Sequence, residues 1–216
     1  MPYVNFLLGL MISAPIAVSG APISAIVNAT SGAIVATATS SLGFYNGAPT
    51  TVPSVPFYSQ LRDINAVRWQ KIGCGVASLA MIIEYYKPGE IVSVDQLLKE
   101  GIAAGAYLKG AGWTHRGLTL LAKPYGLGGA NYDLSGLKMA GAFAEFLEFL
   151  KEGPVIASVY YKFDPKSPIP HLVVINGIED GYIYYNDPAG VSAGEKISVA
   201  DFMRGWKKKF IVVEPV

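Results

Sequence analysis

Apolar side chains recur at Val76, Leu79, Ala80 and Ile83, the spacing of one helix face. This predicts a helix over Cys74 to Tyr86 that stops ahead of Pro88 and Gly89. A short helix is expected over Val94 to Glu100 with Ser93 as its N-cap. Two more are expected over Arg116 to Lys123 and Met139 to Lys151, the latter ending at Glu152-Gly153-Pro154. Beyond that point the period changes. Residues 155–161, 171–177, 182–187 and 209–214 are β-branched and aromatic runs bounded by turn residues, and they read as strands. Between the last two, Ser198 to Trp206 reads as one or two helical turns, with Ser198 and Asp201 spaced as a capping box. Helices followed by antiparallel strands make the fold class α+β.

The chain ahead of these elements is patterned differently. Residues 3–27 form a continuous apolar stretch, long enough to enter a bilayer though interrupted by Pro15, Gly20 and Pro22. It carries no Lys or Arg near its start, which a secretory signal normally has. Small residues around Ala17 to Ala21 could form a cleavage site. An export signal or anchor over residues 1–27 is expected, and with it a secreted or envelope-associated protein. The Ala/Thr/Ser/Gly-rich stretch that follows has few large side chains and reads as a linker over residues 28–51. The folded domain is expected over 52–216, opening with residues 54–60 as a short strand.

Charge sharpens this division. No Asp, Glu, Lys, Arg or His precedes Arg62, and the net charge of the whole chain is +1. That balance argues against nucleic acid as a partner, and it confines any expected membrane contact to the N-terminal segment. One cysteine excludes an internal disulfide. With only His115 and His171 beside it, no metal or other cofactor is expected. No internal repeat and no phosphate-binding glycine loop is present.

The single cysteine, Cys74, stands between Gly73 and Gly75 at the predicted start of a helix. A thiol attacks as thiolate, which unpaired helix-start N–H groups and a neighbouring imidazole both favour. The flanking glycines are expected to leave the sulfur uncovered. A small buried thiol would serve equally well in a core.

His171 begins an apolar strand, so its ring is expected at the sheet's end, near solvent. Glu179-Asp180-Gly181 suits a three-residue hairpin loop. Pairing outward from it sets His171 opposite Ala189, with Asp187 as a diagonal neighbour on the same face, about 7–8 Å away by backbone. A two-residue turn would shift the register by one and send Asp187 to the other face. A turn at Asn176-Gly177 would pair His171 with Tyr182 instead. Taken together, His171 and Asp187 supply a base and the group that orients it. The backbone N–H of Cys74 can donate to a developing oxyanion, and a side-chain amide from Gln60 or Gln70 could be the second donor.

The order Gln, Cys, His, Asp is carried by "VPFYSQ", "GCGVASLAMIIEYY" and "HLVVINGIEDGYIYYNDP". These segments resemble the papain-like cysteine peptidases of the bacteriocin-leader-processing type. They are more similar still to the stand-alone relatives, the peptidase C-thirty-nine-like domains. The likeness covers about residues 52–214, including "GWTHRGLTLLAKPYGL". It implies a papain-like fold with Cys74 as nucleophile, His171 as general base, Asp187 as orienting acid and Gln60 as oxyanion donor. His115 matches a middle segment and is expected to line the groove. Transporter-fused members usually carry an Asp before the cysteine, where this chain has Gly73, so cleavage of double-glycine leaders is not implied. The expected function is a thiol hydrolase acting on a peptide or related amide. The alternatives are an acyl transferase using the same triad, and a non-catalytic binding module for peptides or cell-wall fragments.

Overall fold

The computed structural model describes residues 52–216. The export-segment and linker expectations for residues 1–51 lie outside the described residues. After a one-turn helix α1 (Val67–Gln70) comes the longer α2 (Cys74–Tyr86), at the bounds the apolar spacing predicts. Then α3 (Val94–Ala103) follows, with the Ser93 side chain accepting from Gln96 N. A small hairpin of β1 (Tyr107–Leu108) and β2 (Gly112–Trp113) leads into α4 (His115–Leu121), capped by Thr114. The strand β3 (Leu127–Asp133) precedes α5 (Met139–Glu152), β4 (Val155–Tyr160), β5 (Pro170–Glu179) and β6 (Tyr182–Asn186). The chain closes with β7 (Glu195–Ser198), α6 (Val199–Gly205) and β8 (Trp206–Pro215).

The last six strands form one antiparallel sheet in the order β3-β8-β4-β5-β6-β7. Its central strands are covered on both faces, which is why they read as continuous apolar runs. Ile156, Leu172, Val174 and Ile211 share a core with α2, α3 and α4. Val155, Ala157, Val173 and Ile175 share another with Phe146 of α5 and Phe202 of α6. Among the described residues no helix is long and apolar enough to cross a membrane.

Three expectations need correction. Residues 54–60 form no strand. Pro53 and Pro56 lack N–H donors, and the carbonyls of Val55 and Pro56 accept from the Asn186 side chain, at 3.1 and 3.2 Å, instead of joining a ladder. In the other direction, β3, β7 and the small β1–β2 hairpin form where no strand is predicted. β3 carries "LGGANYD", with little apolar surface of its own, yet it pairs with β8 along its whole length.

The third correction is the β5–β6 turn. Glu179 pairs with Tyr182 across only two residues, Asp180 and Gly181, whose φ values of 49° and 79° are those of a type I′ turn. By itself this shifts the register one residue from the three-residue expectation. A β-bulge takes the shift back, because Gly177 pairs with Tyr184 but Ile175 with Tyr185, leaving Asn176 as the extra residue. Beyond the bulge Val174 faces Asn186, the alignment that the three-residue loop predicts, and the ladder ends there, because Asp187 to Gly190 form a turn with Gly190 N donating to the Asp187 carbonyl.

Candidate active site

Helix α2 starts with Gly73 as N-cap and no capping side chain, so the first N–H groups at Cys74 have no side-chain partner. The flanking glycines do more than uncover the sulfur. A Cβ at residue 73 would lie 2.1 Å from Ile64 Cδ1, and one at residue 75 would lie 2.6 Å from the Trp113 ring. The helix start is therefore clamped between the loop that carries Gln60 and the β1–β2 hairpin. Trp113 Nε1 donates to the Ile72 carbonyl at 2.5 Å and holds the approach to Cys74 from the other side.

The structure brings Cys74, His171, Asp187 and Gln60 together. His171 Nε2 and Asp187 Oδ1 are 2.6 Å apart. The Asp187 carboxylate also accepts from Ala189 N at 2.8 Å, so one side chain both shapes the turn and orients the imidazole. Contrary to the expectation of a ring near solvent, His171 is only 5 % exposed, with Tyr161 edge-on against it at 5.4 Å between ring centroids. Burial alone would lower the His171 pKa. Hydrogen bonding to Asp187, and hydrogen bonding and charge from the adjacent Cys74, outweigh it and raise the value to about 9. The imidazolium is thus the favoured form at neutral pH.

The two glutamines separate clearly. Gln60 is 5 % exposed and lines the same groove as Cys74 and His171. Its Nε2 donates to the Gln70 carbonyl at 2.7 Å, which uses one of its two amide hydrogens. Its backbone N–H donates to the Pro188 carbonyl at 2.8 Å, next to Asp187. Gln70 instead directs its own side chain to the Ile64 carbonyl at 2.9 Å, bracing the loop.

Sequence reasoning missed the side chain that ties these parts together. Asn186 is fully buried. Its amide nitrogen holds Val55 and Pro56, while its oxygen accepts from Gly194 N at 2.8 Å and from the bulge residue Asn176 at 3.0 Å. An Asn just before an Asp-Pro pair reads as turn chemistry, so no local signal marks this role.

The groove holds about 750 Å³ and is walled on one side by Leu61, Ile72, Tyr107 and Trp113. The other wall includes Ser158, Tyr161, Ile169, Lys207 and Lys209. His115 lines it as expected, with Nε2 2.7 Å from Ser158 Oγ. Burial, and secondarily the charge of Lys209, lowers its pKa, which keeps the ring neutral. Among the described residues no group of three or more His, Cys, Asp or Glu side chains is arranged to hold a metal ion.

One solved structure shares this fold, and others are similar to the chain in sequence. A putative C39-like peptidase from Bacillus anthracis superposes with a TM-score of 0.55 at 23% identity, covering 73% of this chain and 93% of that one. A double glycine motif protease from an AMS/PCAT transporter, solved with a leader peptide, gives 0.49 at 26% identity, over 76% of this chain and 93% of its own. The peptidase domain of Streptococcus ComA gives 0.49 at 20% identity, over 68% and 93%. No curated protein matches the chain. The fold is thus α+β and papain-like, and the sequence matches the Peptidase_C39 like family over residues 52–212, about three quarters of its length. This chain belongs to the Peptidase_C39 like family.

Proposed function

We propose that this protein is a cysteine peptidase that cleaves a peptide or related amide through Cys74, His171, Asp187 and Gln60. The observation that carries the reading is a buried imidazole held by a carboxylate at 2.6 Å and acted on by the only thiol in the chain, at the edge of a groove. Cys74 Sγ, as thiolate, attacks the substrate carbonyl carbon. The carbonyl oxygen takes the negative charge beside Cys74 N–H and the free Gln60 N–H. Collapse breaks the C–N bond, and the amine leaves with the proton of His171. Water then attacks the thioester while neutral His171 takes its proton, and collapse breaks the C–S bond, releasing a carboxylic acid and restoring the thiolate and the imidazolium. Asp187 holds the ring in position through Nε2, leaving Nδ1 as the nitrogen that exchanges the proton.

The test is a peptide-library digest with the full-length protein and its Cys74→Ala variant, resolved by mass spectrometry. Cleavage by the first alone, with both equally folded, is the expected result. Acyl transfer to an added amine in place of hydrolysis would make the protein a transferase. No cleavage, together with no labelling of Cys74 by a thiol-directed probe at neutral pH, would leave only a binding module. An exported or envelope-bound location is part of the same proposal, supported by the uncharged apolar composition of residues 3–27, and cell fractionation tests it.

A further inference from the structure

The sheet-side wall of the groove carries a second constellation that the proposed chemistry does not use. Ser158 pairs with Lys209 across β4 and β8, but the next pair is Val159 with Trp206, so Lys207 and Lys208 are extra residues in a bulge. Lys208 adopts φ of 56°, unusual for a residue with a side chain. Its Nζ donates to the carbonyls of Ser135 and Leu137, each at 2.7 Å, and its own carbonyl accepts from Leu134 N at 2.8 Å. The bulge is therefore fastened from behind, and the lysines on either side of it, Lys207 and Lys209, both line the groove.

The charges of this groove are one-sided. Its lining includes Lys71, Lys207 and Lys209 but no Asp or Glu, in a chain whose overall charge is only +1. Lys209 is partly neutralised by Asp133, 2.8 Å away beside the groove. Among the described residues Lys207 makes no ion pair with a carboxylate. Its Nζ lies 4.7 Å from the centroid of the Tyr160 ring, half-buried, where desolvation and then the charge of Lys209 lower its pKa. The same groove is lined by the Ser158 hydroxyl, opposite Lys209 across β4 and β8, and by the neutral His115, the two hydrogen-bonded to each other and able to donate to a ligand after rearranging one proton. An under-compensated cation beside neutral donors suits an anion small enough to share them.

Resting on the peptidase reading, we propose that Lys207 and Lys209, with Ser158 and His115, form a carboxylate-binding subsite that selects peptides bearing an acid group on this side of the scissile bond. The carboxylate is either an Asp or Glu side chain or the C-terminus of a short substrate, since both present the same chemistry to the lysines. The remaining walls are apolar and aromatic, so the rest of the peptide is recognised by apolar contact.

The experiment compares matched fluorogenic peptides on the full-length protein: Glu against Gln at each position around the scissile bond, and free C-terminus against C-terminal amide. A preference of about tenfold in kcat/KM for one acidic member of a pair is expected, mostly through KM, which is one charge pair's worth of affinity. Its dependence on position or on the terminus tells the two sources apart. High salt should weaken it. Lys207→Gln should bring the ratio close to one, Lys207→Arg should keep it, and Lys207→Glu should reverse it. Cleavage with no acidic preference, or with a preference that survives Lys207→Gln, overturns the subsite and leaves the peptidase reading intact. The same labelled peptides are titrated onto full-length Cys74→Ala by fluorescence anisotropy. Lys207-dependent binding of the acidic peptides without cleavage by the wild type would sink the peptidase reading while upholding the subsite. Neither cleavage nor selective binding overturns both.

Discussion

At the residue scale, the site depends on side chains that each hold two partners at once. Gln60 Nε2 donates to the Gln70 carbonyl beside the groove, whereas the Gln70 side chain donates to the Ile64 carbonyl. Replacing Gln60 by Ala should lower kcat by about a hundredfold or more, the cost of removing one oxyanion donor. Gln70→Ala keeps the carbonyl that positions Gln60 and should cost less than about tenfold. Steady-state kinetics on folded variants ranks them, and the reverse order would move the donor role to Gln70. Asp187 serves His171 and Ala189 N through the same oxygen. Asp187→Asn retains that acceptor and should keep partial activity, while Asp187→Ala loses both contacts and should fall further. Removing the charge also removes part of what raises His171 to about 9. The alkaline limit of the Asn variant's pH–rate profile should therefore move to lower pH, and an unchanged limit would show that Asp187 does not act on the ring.

At the element scale, the hairpin β5–β6 and the segment 52–60 are fastened by one amide. Asn186 joins the carbonyls of Val55 and Pro56 to the bulge at Asn176 and to Gly194 N. Truncation to Ala strands several buried polar groups, each worth about 1–3 kcal/mol when left unsatisfied. Asn186→Ala should therefore shift the urea unfolding midpoint clearly downward. It should also lower kcat, because the strand-less segment that carries Gln60 loses its fastening. Combining it with Gln60→Ala should add little to the kcat loss of Gln60→Ala alone. Full additivity in that double-mutant cycle would show that Asn186 does not act through Gln60.

Over the whole molecule, the described members of the two cores begin at Val55. A chain beginning at Thr51 should accordingly fold and retain its activity. Circular dichroism and peptide cleavage check this, and an unfolded product would place part of residues 1–50 in the core. The site also leaves a signature in global stability. His171 has a folded pKa of about 9 against an ordinary 6.5, so the folded state binds the proton more tightly than the unfolded chain does. The stability it contributes is complete below about pH 6.5 and is lost as pH rises through about 9. Thermal unfolding of wild type against His171→Gln should show the largest difference at about pH 6.5 and just below, shrinking as pH rises and converging above about 9.

The sequence by itself determined the helices and the central strands, because their apolar periods are local properties of Cys74–Tyr86, Met139–Glu152 and the runs around Val155 and Leu172. It also put the candidate side chains on one short list, since a thiol, an imidazole and a carboxylate are chemically distinctive wherever they fall. Only the tertiary structure decided how they meet. The register of β5 on β6, which leads to His171 and Asp187, results from a two-residue turn corrected by a bulge at Asn176, two opposite shifts whose sum alone the hydrophobic pattern constrains. Strand β3 exists because β8 lies beside it, and the lysine-bearing bulge exists because turn carbonyls far away in sequence accept from Lys208. The roles of Asn186 and Trp113 likewise depend on backbone carbonyls distant along the chain. A hydrogen bond to a distant carbonyl leaves no periodicity in the sequence, because every residue carries the same carbonyl, and only folding selects which one is near.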